Sequence, residues 1–156
     1  MTDDGIEMLK LFEQFRSRTY LDSAGKPTIA WGHLIKPGES FQEPISPEGG
    51  ESLLLADIDI HERAMLSFVK APLKEHEQDA LASLVFNIGG AAWRKSTILR
   101  YVNSGHETGE IANEFTRWVK SGGVVQRGLV RRRNAEAARY LGAWPKLVEA
   151  IYLGAW

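Results

Sequence analysis

The sequence contains no cysteine in its 156 residues, which excludes disulfide bonds and metal sites built on thiolates. The chain can therefore fold in a reducing or an oxidising compartment. Four histidines are present, and they are scattered without the short, regular spacing of metal ligands. We expect neither a metal ion nor a cofactor.

An excess of charge of one sign is also missing. The 19 basic and 20 acidic residues leave a net charge of −1, so no overall positive field attracts nucleic acid or anionic membranes. Five arginines do fall in one predicted helix, and a basic recognition helix would be their nucleic-acid interpretation. Glu136 shares that segment, and no helix-turn-helix pattern precedes it. We therefore interpret the arginines as a solvated helix face, with one or two of them turned toward a cleft. We therefore expect no nucleic-acid partner.

Long apolar runs are absent as well. No segment of the sequence is long and apolar enough to cross a bilayer. Residues 1–15 are acidic and lack both the basic start and the apolar stretch of a secretory signal peptide. We expect a protein that is made in the cytoplasm without a signal peptide and that does not insert stably into a membrane.

The composition that remains is typical of a soluble globular protein, with 44% hydrophobic and 25% charged residues. The length suits one domain, which we place at residues 1–156. A domain of this size buries roughly two-thirds of the surface of its unfolded chain. The chain can therefore build a sizeable core.

The first helix is predicted from its apolar period. Apolar residues recur at i, i+3, i+4 and i+7, at Met8, Leu11, Phe12 and Phe15. Thr2 can cap this helix, which should end near the last of these residues. Asp22 to Gly25 then form a turn, and residues 27–35 form a short β segment. A helix end that faces a hairpin would hold Glu13 and Asp22 on opposite walls of one cleft.

The rest of the chain is predicted to be mostly helical. Ser46 as a cap and Pro47 at the first helical position begin a long helix that runs to Val69. Further helices are expected at 74–88, 96–102, 107–120, 124–140 and 145–153, and the last of them would pack two tryptophans. The predicted fold class is α+β and mostly α, with one small sheet near the start.

The spacing E-x8-D-x5-T is carried by Glu13, Asp22 and Thr28, and Thr28 opens the run TIAWGH. This pattern resembles the active-site signature of phage-type lysozymes, the endolysins of glycoside hydrolase family 24. Residues 84–103, 115–119 and 122–133 resemble that family's downstream motifs in the same order. The resemblance runs from about residue 6 to residue 142, and four ordered blocks make it specific.

The resemblance implies a two-lobed lysozyme-like fold. A small lobe at about 14–58 would carry a three-stranded antiparallel sheet, and a long helix would connect it to a helical lobe at about 59–156. The first helix would pack on the helical lobe. The implied activity is hydrolysis of the β-1,4 bond between N-acetylmuramic acid and N-acetylglucosamine in bacterial peptidoglycan, with inversion at the anomeric carbon. We expect a monomer. The resemblance implies a holin-type membrane permeabiliser, which lets the protein leave the cytoplasm and act on the cell wall in the periplasm.

Glycoside hydrolysis needs one carboxylic acid that protonates the leaving oxygen and a second group that activates water or attacks the sugar. We assign Glu13 as the acid, because desolvation beside Phe12 and a cleft wall would help it to hold a proton. Asp22 is assigned as the base or electrostatic stabiliser, and Thr28 as the hydroxyl that positions water. Taken singly, these would be ordinary helix, turn and strand residues, so the assignment depends on their joint spacing.

The resemblance also points to residues around the catalytic group. Its substrate contacts match Leu34, Phe86 and Ser96. Asn87 is a polar partner suited to an acetamido group, whereas Phe86 could equally belong to the core. Arg127 matches the family's arginine that faces the catalytic glutamate. His33 is expected to be a structural residue bonded across the two lobes.

Two other functions stay open at this point. A lytic transglycosylase would need one glutamate and no activated water, so Asp22 and Thr28 argue against it. A non-catalytic wall-binding or DNA-binding module would not need the triad at all. The product formed from peptidoglycan separates the three functions, because it has a hydrated reducing end, a 1,6-anhydro end, or does not form.

Overall fold

The computed structural model describes residues 1–22, 24–143 and 145–154. Within this part of the chain there are eight helices and two small antiparallel sheets. In chain order the elements are α1 Asp3–Glu13, β1 Arg16–Leu21, β2 Pro27–Ala30, β3 His33–Leu34, α2 Pro47–Leu66, α3 Glu75–Ile88, α4 Gly90–Arg94, α5 Thr97–Ser104, α6 Thr108–Phe115, β4 Lys120–Ser121, β5 Val124–Val125, α7 Arg127–Tyr140 and α8 Pro145–Leu153. The predicted fold class, α+β and mostly α, is confirmed.

Helix α1 delivers Glu13 to the edge of the first sheet. Its cap is Thr2, whose side-chain oxygen accepts a hydrogen bond from the backbone N–H of Gly5 at 3.2 Å. The helix ends at Glu13 rather than near Phe15, because Gln14 has a φ of 54°, outside the right-handed helical region. Along its length α1 contacts α3 and α8.

The first sheet has the strand order β1-β2-β3, and both pairings are antiparallel. Thr28 lies on the central strand, paired with Tyr20 of β1 and with Leu34 of β3. Beyond β1, the backbone N–H of Asp22 donates to the carbonyl of Lys26 at 2.9 Å. The three-stranded sheet is therefore as predicted, with a hairpin connection at Asp22.

Helix α2 begins as predicted, with Ser46 as its cap and Pro47 as its first residue. It ends at Leu66, three residues before the predicted end at Val69. The reason is a tightening of the last turn, in which the N–H of Val69 bonds to the carbonyl three residues back. The predicted boundary between two lobes, near residue 58, falls inside α2 and stays a prediction.

Gly50 allows α2 to approach the first sheet closely. A Cβ atom at this position would lie 2.7 Å from Cε2 of Phe15, 3.1 Å from Cβ of Ala30 and 3.2 Å from the ring of Trp31. The nearest of these atoms belongs to a packed ring, so either the ring or the helix would have to move. The absence of a side chain here sets the distance between helix and sheet.

We expect Gly50→Ala to destabilise the protein by about 1–3 kcal/mol, the usual cost of overpacking. Gly109 in α6 is the matched control, because it is exposed and a Cβ there would meet nothing within 4 Å. Gly109→Ala should stabilise by about 0.4–1 kcal/mol through the lower entropy of the unfolded chain. Urea unfolding of both variants measures the difference, and equal effects would contradict the close approach of α2.

Helix α3 lies at the centre of the helical core. Leu81, Leu84 and Val85 are fully buried on it, in one cluster with Trp93 and Phe115. Its bounds agree with the predicted helix at 74–88 to within one residue. Because α3 contacts α7 along much of its length, the side chains of these two helices meet in the interior.

The predicted helices at 107–120 and 124–140 are wrong at their facing ends. Strands β4 and β5 pair there through a two-residue loop, Gly122 and Gly123, with φ of 56° and 80°. Two successive left-handed residues favour a tight hairpin, so the glycines form a turn between strands rather than a loop between helices. Helix α7 consequently begins only at Arg127, and the expectation of a single sheet is corrected. The short α4 was not predicted either, because five residues show no helical period.

Helix α8 matches the predicted terminal helix at 145–153. The predicted packing of Trp144 and Trp156 falls on residues outside those that the structure describes. Across the described ranges, every helix is too short or too polar to span a bilayer.

Candidate active site

Glu13 is the last residue of α1, and its side chain is 18% exposed. One carboxylate oxygen, Oε1, accepts a hydrogen bond from Nη1 of Arg132 at 2.6 Å. The other, Oε2, would lie 3.0 Å from a Cβ atom at Gly32, whose φ is 79°. The glycine of TIAWGH therefore serves two purposes: it takes a left-handed conformation, and it lets the backbone pass beside the carboxylate.

The arginine that contacts Glu13 is Arg132 and not the predicted Arg127. Arg127 is exposed and is the first residue of α7. Five residues separate the two arginines, which corresponds to about 7.5 Å along the axis and a different face of the helix. Arg132 lies on the face of α7 that meets α3, where its Nη2 donates to the carbonyl of Ser83.

Arg132 is surrounded by acceptors in the interior. Its Nε donates to Oε1 of Glu136 at 3.0 Å, and its Nη2 donates to the carbonyl of Ser83 at 3.3 Å. The guanidinium also lies 5.0 Å from the ring centre of Phe12. Burial by itself would lower the pKa of Arg132, but the charges of Glu13 and Glu136 outweigh it, so the pKa is raised. The arginine therefore carries a fixed positive charge beside Glu13.

Asp22 is held by the backbone of its own hairpin. Its Oδ1 accepts hydrogen bonds from the N–H groups of Ala24 and Lys26, both at 2.8 Å. Within the described residues, Oδ2 accepts no hydrogen bond. Oδ1 therefore stabilises the turn, and the chemical role of Asp22 stays a prediction.

Tyr20 lies within reach of both predicted carboxylates. Burial raises the pKa of Tyr20, and the negative charges of Glu13 and Asp22 raise it further, against the opposing charge of Arg16. A cavity of about 410 Å³ lies at the same place, lined by Phe12, Glu13, Gln14, Arg16 and Tyr20. The first strand and the end of α1 therefore enclose a space onto which Glu13 opens.

Thr28 lies next to Tyr20 on the central strand and is only 2% exposed. Its hydroxyl donates to the carbonyl of Lys26 at 3.0 Å. The donor capacity of the hydroxyl is thus used within the hairpin, whereas its oxygen can still accept a hydrogen bond. Its predicted role in positioning water stays a prediction.

The predicted substrate contacts fall into different environments. Leu34 is 44% exposed on β3, beside Thr28. Phe86 is half-buried, and Asn87 is exposed, with its Oδ1 accepting from Nη2 of Arg133 at 2.8 Å. Ser96 is buried and caps α5, because its Oγ accepts from the N–H of Leu99 at 3.1 Å. The structure thus gives Ser96 a role within the fold.

His61 of α2 lies near the candidate site and was not among the predicted residues. Its ring lies 5.0 Å from that of Phe86. Burial lowers the pKa of His61, against the opposing charges of Asp57 and Glu13. No local pattern marks this histidine in the sequence, because its neighbours come from α1 and α3.

His33 is buried, as expected of a structural residue. Its Nδ1 lies 2.8 Å from Oδ2 of Asp57 in α2, and its Nε2 lies 3.3 Å from Oε2 of Glu39. The histidine therefore links β3 to α2. Among the described residues, no group of three or more histidine, aspartate or glutamate side chains is placed to hold a metal ion.

We expect Asp22→Asn to impair the chemistry of the site more than its structure. An amide oxygen can still accept from the two N–H groups of the hairpin, whereas the negative charge is lost. The change in unfolding free energy should stay below about 1 kcal/mol, while wall lysis should fall by at least about 100-fold. Asp22→Ala is the comparison that should lose both. Equal lysis by wild type and Asp22→Asn would contradict a role for the charge.

Comparisons with known proteins give a consistent result. The family model described as phage lysozyme matches residues 10–136. The chain is 39% identical over 140 residues to an endolysin of Salmonella phage P22, covering 88% of this chain and 95% of that protein. It is 36% identical over 139 residues to an endolysin of Bacillus phage B103, covering 88% of this chain and 52% of that protein. The chain thus spans about half the length of the first curated relatives it matches.

Solved structures agree with these relatives. An endolysin from Escherichia coli O157:H7 phage FAHEc1 superposes with a TM-score of 0.83 at 33% identity, covering 92% of this chain and 95% of that one. A mutant of P22 lysozyme superposes with a TM-score of 0.79 at 37% identity, covering 90% of this chain and 97% of that one. The muramidase domain of SpmX from Asticaccaulis excentricus superposes with a TM-score of 0.80 at 30% identity, covering 90% of this chain and 96% of that one.

Proposed function

Because this chain belongs to the phage lysozyme family, we propose that it is an endolysin that hydrolyses the β-1,4 bond between N-acetylmuramic acid and N-acetylglucosamine. The observation that carries this proposal is the position of Glu13. This carboxyl ends α1, is largely buried, opens onto a cavity and is held by Arg132 at 2.6 Å. A partly desolvated carboxyl at the wall of a cleft is suited to general acid catalysis.

In the proposed reaction, Glu13 gives its proton to the glycosidic oxygen as the bond from that oxygen to the anomeric carbon breaks. A water molecule attacks the anomeric carbon from the opposite face, and its proton passes to Asp22. Thr28 accepts a hydrogen bond from that water through its hydroxyl oxygen. The product has inverted configuration and a hydrated reducing end.

We propose that the sugars contact Leu34 on the side of the sheet and Phe86 and Asn87 on the side of α3. An apolar side chain, a ring and an amide provide stacking surface and polar contacts of the kinds that acetamido sugars use. We leave out Ser96, whose oxygen caps α5.

The deciding experiment is digestion of purified peptidoglycan, followed by a reducing-end assay and mass spectrometry. Hydrated reducing ends on muramic acid are expected. A 1,6-anhydro product would mean a lytic transglycosylase, and no product would mean a non-catalytic wall-binding module. NMR of the first products reports the anomer, and retention of configuration would contradict the proposed role of Asp22.

We also propose that the protein acts as a monomer, is made in the host cytoplasm and acts in the periplasm once the inner membrane is permeabilised. A folded protein of 17.4 kDa does not diffuse across an intact bilayer, so a holin-type permeabiliser would control its access to the wall. Induction in a Gram-negative host, with and without such a permeabiliser, tests this dependence. Lysis of cells whose inner membrane stays intact would contradict it.

A further inference from the structure

A cluster of buried charged side chains contacts Glu13 through Arg132. It consists of Arg132, Arg133 and Glu136 of α7, of which Arg133 and Glu136 are fully buried. Removing charges from water is costly, and apolar residues of similar size often replace buried ion pairs without loss of stability. Stability alone therefore does not account for two arginines and a glutamate at this place.

Glu136 contacts both arginines of the cluster and also the hydroxyl of Ser83. Its Oε1 accepts from Nε of Arg132 at 3.0 Å and from the hydroxyl of Ser83 at 2.7 Å. Its Oε2 lies 3.1 Å from Nε of Arg133. Arg132 in turn uses a different nitrogen, Nη1, to reach Glu13 at 2.6 Å. One guanidinium is thus held between two carboxylates, one buried and one at the cavity.

The charges of the cluster oppose what a general acid needs. Two arginines near Glu13 favour its ionised form, and an ionised Glu13 has no proton to donate. Burial lowers the pKa of Arg133 to about 10, so both guanidinium groups are charged at neutral pH. With Glu136 present, the cluster and Glu13 together are neutral when Glu13 is ionised and carry one positive charge when Glu13 is protonated. Without Glu136, each of these states would carry one more positive charge.

We propose that Glu136 is a positioning residue of the active site. It fixes the Arg132 guanidinium against Glu13, and it supplies the negative charge that offsets one of the two arginines beside the acid. The inference rests on the proposed role of Glu13 as the acid. Other charged or titratable groups also face Glu13, namely Tyr20 and Arg16 from β1 and His61 from α2, and they are unchanged in the variants that test the proposal.

Three variants change the charge of the cluster in a defined order. Glu136→Gln removes the negative charge, so the alkaline limb of kcat/KM, which reports the acid that must stay protonated, should move to lower pH by about one unit. Arg133→Met removes a positive charge and should move the limb to higher pH by about the same amount. The double variant restores the net charge of the wild-type cluster, so its limb should return near the wild-type position.

A second readout does not depend on turnover. The side-chain carboxyl of Glu13, labelled with ¹³C, gives a titration midpoint by NMR, and this midpoint should move in the same order across the three variants. If wild-type protein fails to cleave peptidoglycan, the proposed function fails, while the NMR titration still decides whether Glu136 controls Glu13. The matched control is Glu114→Gln in α6, another buried carboxylate, paired with Arg117 at 3.3 Å. This control should leave both the limb and the midpoint in place.

A purely structural role gives a different result. Glu136→Gln would then lower thermal stability but leave the limb and the Glu13 midpoint unmoved, and the double variant would restore nothing; this outcome overturns the proposal. Should Glu136→Gln fail to fold, Arg133→Met carries the test. A folded Arg133→Met protein with an unmoved midpoint also overturns the proposal.

Discussion

Glu13→Gln is expected to abolish wall lysis while the fold stays intact. The amide is close in size to the acid and its oxygen can still accept from Nη1 of Arg132, but it has no proton to donate to a leaving oxygen. General acid catalysis contributes about 10²–10⁴-fold to such reactions. Activity should therefore fall by at least the lower of these factors, with kcat more affected than KM.

Turbidity loss of permeabilised cells measures the effect, and circular dichroism checks the fold. Glu7→Gln is the matched control, because Glu7 lies on the same helix, is exposed and pairs only with Lys10 among the described residues, at 2.8 Å. This control should lyse cells like the wild type. Lysis by Glu13→Gln within about tenfold of wild type would remove Glu13 from the role of acid.

The second large effect is expected for Arg132→Met. In the wild-type protein the guanidinium of Arg132 contacts both Glu13 and Glu136. Removing it leaves two carboxylates without their shared partner, one of them fully buried, and breaking a buried pair in this way costs about 3–5 kcal/mol. Arg127→Met is the control, because Arg127 is exposed at the start of α7, and its effect should stay within about 0.5 kcal/mol.

Urea unfolding at neutral pH compares the two variants. The loss of unfolding free energy in Arg132→Met is expected to include no contribution from arginine titration between about pH 5 and pH 9, because Arg132 stays charged over this whole range. A group whose folded-state pKa is raised contributes stability that is fully present below its unfolded pKa, and the pKa of Arg132 is raised above an already high value. Equal destabilisation by both variants would mean that the contact between Arg132 and Glu13 is not formed in solution.

The same variant predicts a change in the pH profile. Removing a positive charge beside Glu13 makes its ionisation less favourable, so any activity that remains should extend to higher pH. Arg127→Met should leave the profile unchanged. A shift caused by Arg127→Met instead would mean that Arg127, as the resemblance implied, is the arginine that faces Glu13.

Much of the fold and part of the site could be predicted because the signals are local. The apolar period and the cap of α1 lie within a dozen residues, and so do the cap and proline that begin α2. The spacing of Glu13, Asp22 and Thr28 also lies within a single helix-and-hairpin segment. These features depend on backbone geometry over a few residues, which sequence encodes directly.

Other features depend on where distant segments meet. Two glycines between apparent helices are compatible with a loop or with a hairpin. In the folded protein they form the hairpin of β4 and β5. That hairpin sets the start of α7 at Arg127. Which of the five arginines reaches Glu13 is decided by the face that α7 packs on α3. The sequence marked the N-terminal residues of the candidate active site, but the charged partner of Glu13 comes from a helix more than a hundred residues later. Side chains that meet across such a distance are selected by the packing of α7 on α3 and α1, and no spacing along the chain records that contact.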